Sequence, residues 1–425
     1  MSGKNHFDQS RWCSLITEYR FLLVSLNIEA VLEEVTIHQR KKKLEEMIQG
    51  NGLRSAYSAT LARIKAQKGS RSRLGMEALM WLSHSEGPLK ANDLCHALGV
   101  EIGSTNLNHE NIPTIETLLG CSLGLVIVEA SSYTVRLVHY SLQEYLCNNT
   151  DLFHRPHSII AEVCLTYLNF QRIKDLPLTF DWFRSPTPLL VYASCFWGAH
   201  ARRGVTEIVN TLALKLLARF DKHVASGILL SQKFDNWDRV LGRSDPTGFT
   251  GLHGVAYLGI VDIAVGLLEV NKWDLNATDV RGDTAISWAT RKGHGSIVKI
   301  LLVLGDVALN TVDAYGQTPL LWAVLCEFED IVKMLLGRED VAPNTVDKGG
   351  RTPLSWAAGN GYEGIVKMPL GCEDVTPNTA DVHGRTPLLL ATTNRRMGVI
   401  RMLLERRDVN PNTPDKKGQT PPVGS

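Results

Sequence analysis

The chain lacks several features that would assign it directly to a functional class. No apolar run approaches the roughly 18 residues of a membrane-spanning helix, and the start carries no secretion signal. The formal net charge is only +1 over 425 residues, so composition gives no general attraction to nucleic acid or to an anionic membrane. The eight cysteines form neither a CxxC pair nor a zinc spacing. Reduced thiols and a cytoplasmic location follow as expectations, with the nucleus as the alternative.

The C-terminal part of the sequence repeats with a constant period. Six aspartates stand 34 residues apart, and a glycine follows each of them three positions later. The aspartates are Asp245, Asp279, Asp313, Asp347, Asp381 and Asp415. A fixed period of this size is typical of a solenoid, in which each unit buries its apolar face against its neighbours.

Each unit has a recognisable order of local signals. Asp313 and Gly316 are turn residues, because the carboxylate bonds nearby backbone and glycine accepts a positive φ. Thr318-Pro319-Leu320 then predicts a helix start, with threonine as N-cap and proline at the first helical position. A second helix follows over Ile331–Leu336. This order resembles the ankyrin repeat; tetratricopeptide units share the period but lack the turn and the Thr-Pro-Leu start. We expect about five repeats over residues 244–425, the last incomplete.

Two departures from the repeat pattern carry expectations of their own. Pro369 stands where Leu301, Leu335 and Leu403 occur in the other units, which predicts a kinked or broken second helix. The chain ends at Ser425 inside an opened repeat, so we expect the last unit to fray. Together with the missing nucleotide-binding loop described below, this ending suggests either a truncated gene product or a paralogue that lost its NTPase.

The part before the repeats predicts a winged-helix domain over residues 69–150. Its three helices are expected at Leu74–Leu82, Ala91–Leu98 and Thr114–Leu119, followed by a hairpin of strands 125–128 and 133–138. Residues 1–68 predict an amphipathic helix over 15–49 and a second over 53–68. Residues 151–243 predict a helical linker that covers the open end of the solenoid. The fold class is therefore mainly α, with one hairpin.

A winged helix raises DNA binding as a hypothesis, which the charges oppose. The third helix would present Glu116 to the groove, and Lys90 is the only fixed cation between Gly87 and Gly124. Because phosphate neutralisation supplies most of the affinity for nucleic acid, we expect no nucleic-acid partner.

The same region resembles the winged-helix segment of fungal NACHT–ankyrin proteins, which are NLR-like STAND NTPases; this segment is named after GPI inositol-deacylase. The resemblance is carried by Ala66-Gln-Lys-Gly69, Arg73-Leu-Gly-Met-Glu-Ala-Leu-Met-Trp-Leu-Ser-His-Ser85, Leu94-Cys-His-Ala-Leu98 and Val138-His-Tyr-Ser-Leu-Gln-Glu-Tyr-Leu146. It implies that residues 15–50 correspond to the last helix of a NACHT domain. The NTPase core itself is missing, since no G-x-x-x-x-G-K-[ST] loop occurs.

The resemblance makes His139 a weak candidate for a nucleotide-phosphate contact, within the H-x-S-x-x-E-Y pattern of Ser141, Glu144 and Tyr145. The alternative is a histidine that packs the corner between strand and helix. Gly120-Cys-Ser122-Leu-Gly124 matches the G-x-S-x-G hydrolase motif, but a helix precedes it and a strand follows, the reverse of the required order. We predict no catalytic residue, no cofactor and no metal site.

Candidate partner contacts lie in the repeats. The turn tips change from unit to unit while the frame stays constant, and their candidates are Arg281, Tyr315, Lys348, His383 and Lys416. Trp288, Trp322 and Trp356 recur one period apart and either fill the seam between inner helices or form an aromatic stripe for a partner. The sequence thus predicts a monomeric, non-catalytic adaptor that binds protein. The alternative is the regulatory or sensor portion of a NACHT-type NTPase switch.

Overall fold

The computed structural model describes residues 35–48, 52–181, 187–232, 246–270 and 272–421. The described chain is helical apart from one small sheet, which confirms the mainly α class. It divides into two compact units, one of Met1–Tyr167 with Pro186–Phe196 and the other of Leu168–Ser185 with Trp197–Ser425. The predicted helix over 15–49 is described only at Ile37–Ile48, and its earlier part lies outside the described residues. The four-part domain division stays a prediction.

The first unit contains helices and one sheet. Its helices are α1 (Ile37–Ile48), α2 (Gly52–Lys65), α3 (Ser70–His84), α4 (Ala91–Gly99), α5 (Ile115–Cys121), α6 (Tyr140–Asn148) and α7 (Pro156–Leu168), whose last residue belongs to the second unit. The strands are β1 (Leu89–Lys90), β2 (Val126–Val128) and β3 (Thr134–Leu137). Helix α3 is the centre of this unit and packs against α4, α5, α6 and β3, with Leu79 and Trp81 buried in the contacts.

The predicted three helices and hairpin are confirmed, and the sheet has one further strand. Strand β3 lies between β1 and β2, antiparallel to both, with Leu89 opposite Val135 and Val126 opposite Leu137. The sequence signal for β1 is only two residues long and follows Gly87-Pro88, which predicts a turn. Pairing with β3 makes it a strand, so this element depends on a partner distant in sequence.

The second unit contains shorter linker helices and then five helix pairs among the described residues. The linker helices are α8 (Gln171–Lys174), α9 (Leu190–Ala201, of which the part through Phe196 belongs to the first unit), α10 (Glu207–Leu217) and α11 (Val224–Gln232). The inner helices of the pairs are α12 (Gly251–Leu258), α14 (Ala285–Arg291), α16 (Pro319–Leu325), α18 (Pro353–Asn360) and α20 (Pro387–Thr393). The outer helices are α13 (Val261–Val270), α15 (Gly295–Leu304), α17 (Glu329–Leu336), α19 (Glu363–Leu370) and α21 (Met397–Glu405).

Inner helices pack against inner helices, and outer helices against outer helices, along the whole series. The threonine caps form as expected: Thr318 accepts from the Leu321 amide at 3.2 Å, and Thr352 accepts from the Ser355 amide at 3.1 Å. Val332 and Val366 are fully buried between neighbouring pairs, so the units share one elongated core.

Helix α10 covers the first helix pair and explains why that pair departs from the repeat signature. It packs against both α12 and α13. A Cβ at Gly251 would lie 2.2 Å from the Leu217 carbonyl oxygen, and one at Gly254 would lie 2.8 Å from the Phe220 ring. Proline, found at this position in three later repeats, would collide with the end of α10. Glycine therefore replaces proline in the Thr-Pro-Leu motif of this repeat, which reads Thr250-Gly251-Leu252.

Of the predicted kinked or broken helix at Pro369, the break is wrong. Helix α19 runs through Pro369 to Leu370 and has 8 residues, the same number as α17 in the preceding repeat. Proline lies next to the end of the helix, where it removes a single bond to the Ile365 carbonyl, and its ring is buried. The Gly371 amide still donates to the Lys367 carbonyl at 3.1 Å, so the final turn closes.

Replacing Pro369 with leucine should stabilise the repeats by about 1–2 kcal/mol, because it restores the amide donor and removes the clash with the preceding turn. Urea unfolding followed by circular dichroism measures the change. Leu335→Pro, the reciprocal change one repeat earlier, should destabilise by a similar amount. An unchanged or lowered midpoint for Pro369→Leu would show that the proline fits without strain.

Candidate functional site

Each repeat turn is organised by one aspartate carboxylate. Asp313 Oδ1 accepts hydrogen bonds from the Tyr315 and Gln317 amides, both at 2.8 Å. The equivalent oxygens in the other described turns accept the equivalent amide pairs at 2.8–3.0 Å. The glycine three positions later has a positive φ, for example 79° at Gly316, which only glycine adopts readily. We call Asp279, Asp313, Asp347, Asp381 and Asp415 the aspartate row.

The second carboxylate oxygen binds the inner helix. The indole nitrogens of Trp288, Trp322 and Trp356 donate to Oδ2 of Asp279, Asp313 and Asp347 at 2.9, 3.1 and 2.8 Å. Each tryptophan thus fixes its own turn to its own helix, as the seam interpretation expects.

The next repeat replaces the tryptophan with another donor. Leu390 stands one period after Trp356, and Arg385 instead donates to Asp381 Oδ2 from Nε and Nη2 at 2.9 and 2.7 Å. Burial alone would raise the pKa of Asp381, but these bonds and those from two backbone amides hold it below its ordinary value. The turn therefore keeps a charged, fully bonded carboxylate without an indole.

The three tryptophan rings are buried or half-buried, and arginine side chains lie over them. Trp288 is 2% exposed, while Trp322 and Trp356 are half-buried. The Arg291 guanidinium lies 4.4 Å from the Trp322 ring centre, and that of Arg351 lies 4.5 Å from the Trp356 ring centre. These are cation–π contacts within the fold. The buried side chain of Trp288 does not suit a partner contact, whereas a partner contact by Trp322 or Trp356 stays a prediction.

Backbone bonds join the turns into one row. The first tip residue of each turn donates its amide to the carbonyl of the second tip residue in the preceding turn. Lys348 bonds Tyr315 at 3.1 Å, Val382 bonds Gly349 at 2.9 Å, and Lys416 bonds His383 at 3.0 Å. The spacing between neighbouring tips is therefore fixed by the backbone.

The predicted tip candidates lie on this row. Tyr315 is 39% exposed, Lys348, His383 and Lys416 are exposed, and Arg281 is half-buried. Apolar tip residues stand among them, with Val280 51% and Val382 48% exposed. Side chains that differ between repeats thus project from a constant backbone frame, an arrangement suited to recognising another surface.

A second row, of asparagines, joins successive repeats on their connecting loops. Asn310 donates from Nδ2 to the Asp340 carbonyl at 2.7 Å and accepts the Ala342 amide on Oδ1 at 2.7 Å. Asn276, Asn344 and Asn378 make the same two bonds one repeat apart, at 2.6–2.9 Å. The role of these asparagines was not predicted from the sequence. The constant position of an asparagine three residues before each aspartate is the signal that could have revealed it.

Asp283 is an exception within the turns. It occupies the place of Gln317, Arg351 and Arg385, is only 1% exposed, and its Oδ1 has no hydrogen-bond partner within the described part of the chain. The nearest Arg291 nitrogen lies 3.9 Å from the other carboxylate oxygen of Asp283. Burial, together with the neighbouring Asp279 carboxylate, raises the pKa of Asp283 to about 8.

His139 packs the strand-to-helix corner in the first unit. It is the N-cap of α6, where its Nδ1 accepts the Ser141 amide at 3.2 Å, and its ring stacks on Tyr140 at 4.3 Å. Ser141 Oγ in turn lies 2.9 Å from the Tyr57 hydroxyl. These contacts account for a capping histidine, and nucleotide contact by His139 stays a prediction.

A cleft of about 210 Å³ lies beside this corner, between α2 and α6. Its lining includes the other three residues of the H-x-S-x-x-E-Y pattern, and its charged side chains are Arg54 and Glu144. One cation beside one carboxylate is a poor environment for a polyphosphate. Ser122, at the rejected hydrolase motif, is fully buried and donates to the Leu118 carbonyl at 2.8 Å.

Turns closed by Asp and Gly, followed by stacked antiparallel helix pairs, define an ankyrin-type solenoid, and three helices with a three-stranded wing define a winged helix. The comparisons with known families agree. The family model of ankyrin repeats, which holds three copies, matches residues 252–347 and again 331–415. The model of the GPI inositol-deacylase winged-helix domain matches residues 62–165. A search of curated proteins found no match. Within the described ranges, no helix is both long and apolar enough to cross a membrane.

The buried carboxyl of Asp283 should make the repeats less stable as pH rises. Its pKa is about 8 in the folded chain and near 4 when unfolded, so the folded state binds the extra proton between these values. The contribution of the protonated carboxyl to stability is therefore lost progressively from about pH 4 upward and is fully lost above pH 8. The free energy of unfolding of Asp283→Asn should exceed that of the parent by about 1–3 kcal/mol at pH 8, and by progressively less toward pH 5.

Unfolding by urea at a series of pH values measures this difference. Gln317→Asn, a neutral change at the same position of the next turn, is the control and should give a difference independent of pH. A stability gap between Asp283→Asn and the parent that does not vary with pH would mean that Asp283 is charged throughout.

Proposed function

We propose that this chain is a non-catalytic interaction protein whose ankyrin repeats bind another protein through the turn row. The observation that carries the proposal is the separation between frame and surface. Each carboxylate of the aspartate row accepts backbone amides of its own turn, and these bonds do not use the side chains of Tyr315, Lys348, His383 and Lys416. Ankyrin repeats are interaction modules, and a rigid scaffold with variable loops is a common way to build a binding surface.

The adaptor acts as a monomer in the cytoplasm or the nucleus, and the winged helix serves as a protein module rather than a DNA reader. The exposed face of α5 supports this last part of the proposal. Glu116 is exposed on it, and between Gly87 and Gly124 Lys90 is the only fixed cation. A surface of this charge would repel phosphates.

A second candidate is the regulatory or sensor portion of a NACHT-type NTPase switch, acting in fungal self/non-self recognition. The match of residues 62–165 to the GPI inositol-deacylase winged helix favours it, because this segment resembles the one that follows the NTPase in such proteins. Calorimetry with ADP and ATP separates the two candidates. Nucleotide affinity of this chain, lost in His139→Ala, would favour the switch.

Affinity capture with the full chain tests the adaptor proposal. The chain is compared with Tyr315→Ala/His383→Ala, in which two tips are cut back, and captured proteins are quantified by mass spectrometry. At least one protein should be captured by the parent and be several-fold less abundant with the tip variant, because a few hot-spot residues supply most of the binding energy. Lys299→Ala/Lys333→Ala, on exposed outer-helix positions, is the matched control and should retain it.

An identical set of captured proteins for the parent and the tip variant would contradict the proposal. The tip variant must first have the same circular dichroism spectrum and unfolding midpoint as the parent. This control excludes unfolding as the cause of any lost interaction.

A further inference from the structure

The last three repeat turns carry a group of neighbouring cations. Lys348, Lys416 and Lys417 are exposed there, and Arg351 and Arg385 lie just behind the tips with side chains 29% and 28% exposed. We call Lys348, Arg351, Arg385, Lys416 and Lys417 the cationic edge. Because the tips are joined by backbone bonds, these groups are held at a fixed spacing rather than scattered on mobile loops.

The acids within the same turns offset only part of this charge, since three aspartates stand against the five lysines and arginines of the edge. Asp347, Asp381 and Asp415 accept amides of their own turns, and Asp381 also bonds Arg385 and lies 3.7 Å from Arg351. Asp381 thus offsets part of the charge of the two arginines. The charge of Lys348, Lys416 and Lys417 has no such partner acid within the turns, so the tips stay net positive.

The outer helices are close to electrically balanced. Exposed acids begin α17 at Glu329 and Asp330 and α19 at Glu363, and exposed Lys333 and Lys367 follow on the same helices. The turn edge is therefore the more positive surface, and such a field steers oppositely charged partners toward it.

We propose that the cationic edge docks an extended acidic segment of a partner protein, an inference that rests on the proposed function and specifies its partner. Carboxylates of the segment pair with the edge, and an apolar side chain of the segment lies over Val382, which is 48% exposed in the middle of it. The row presents its side chains one repeat apart, which suits a chain laid across the turns.

A protein segment fits this surface better than a nucleic acid. Lys348, Lys416 and Lys417 are the exposed cations of the three turns, and the exposed Val382 stands between them. Nucleic-acid affinity depends on several neutralised phosphates along a uniformly charged backbone. An apolar residue among few cations suits a short acidic segment that also carries an apolar side chain.

Binding of a fluorescein-labelled peptide of alternating Glu, Gly and Val to the full chain, followed by fluorescence anisotropy at low and physiological salt, tests the proposal. Lys348→Glu/Lys416→Glu/Lys417→Glu should weaken binding by about tenfold or more, because several attractive pairs become repulsive. The matched control is Lys299→Glu/Lys333→Glu/Lys367→Glu, with the same net charge on exposed outer-helix positions, and it should stay within about twofold of the parent. Binding should weaken as salt rises.

Three outcomes would overturn the proposal: no binding of the peptide at low salt, equal loss in both triple variants, or tighter binding of a single-stranded oligonucleotide that is lost in the edge variant. The edge variant must first have the circular dichroism spectrum of the parent, and a Lys-rich peptide should then gain affinity for it, because the surface recognises charge. If the acidic peptide fails while the captured partner still depends on Tyr315 and His383, the adaptor function stands and only the acidic partner is wrong.

Discussion

Side-chain bonds to backbone amides hold the repeats in register, and the rest of the second unit depends on them. A turn that projects from a helix pair leaves amides and carbonyls without helical partners. One carboxylate per turn accepts two of those amides, as Asp313 does at 2.8 Å. One asparagine per loop bonds a carbonyl and an amide of the next repeat, as Asn310 does at 2.7 Å. Because these groups act on backbone, they constrain geometry and leave the neighbouring side chains free to differ.

The separation between residues that bond backbone and residues at the tips explains which positions recur in every repeat and which differ. Positions that bond backbone recur at the period, whereas the tips range from Tyr315 to Lys348 to His383. Where a bracing residue is absent, another supplies the same bond, as Arg385 does in the repeat that has Leu390 in place of tryptophan. At the first repeat, the packing of Leu217 against α12 requires Gly251, so the signature changes where a neighbour demands it.

The sequence predicted the parts of the fold that local chemistry determines. The Asp–Gly turns, the threonine caps and the helix pairs all follow from signals within a few residues, and the winged-helix helices and hairpin do too. The parts it missed depend on residues far along the chain. Strand β1 exists because Val135 and Thr134 pair with it, and α19 survives Pro369 because the proline falls next to the end of the helix. Burial of Asp283, and the choice of partner for each asparagine, come only from packing between repeats.

The tip candidates were found because variation on a constant frame is visible in a repeating sequence. Their grouping into a cationic edge was not, because it depends on which side chains of neighbouring turns are exposed together. The tryptophans illustrate the opposite case. Their recurrence is equally visible, but only the bonds from Trp288, Trp322 and Trp356 to the aspartate row decide that they brace the turns.

Hydrogen–deuterium exchange measures whether the exposed turn tips form a rigid row. The tip amides of Lys348, Val382 and Lys416 should exchange slowly although their side chains face solvent, because each amide donates to the preceding turn. Protection at these three amides as low as that of an unstructured peptide would show that the row is not rigid.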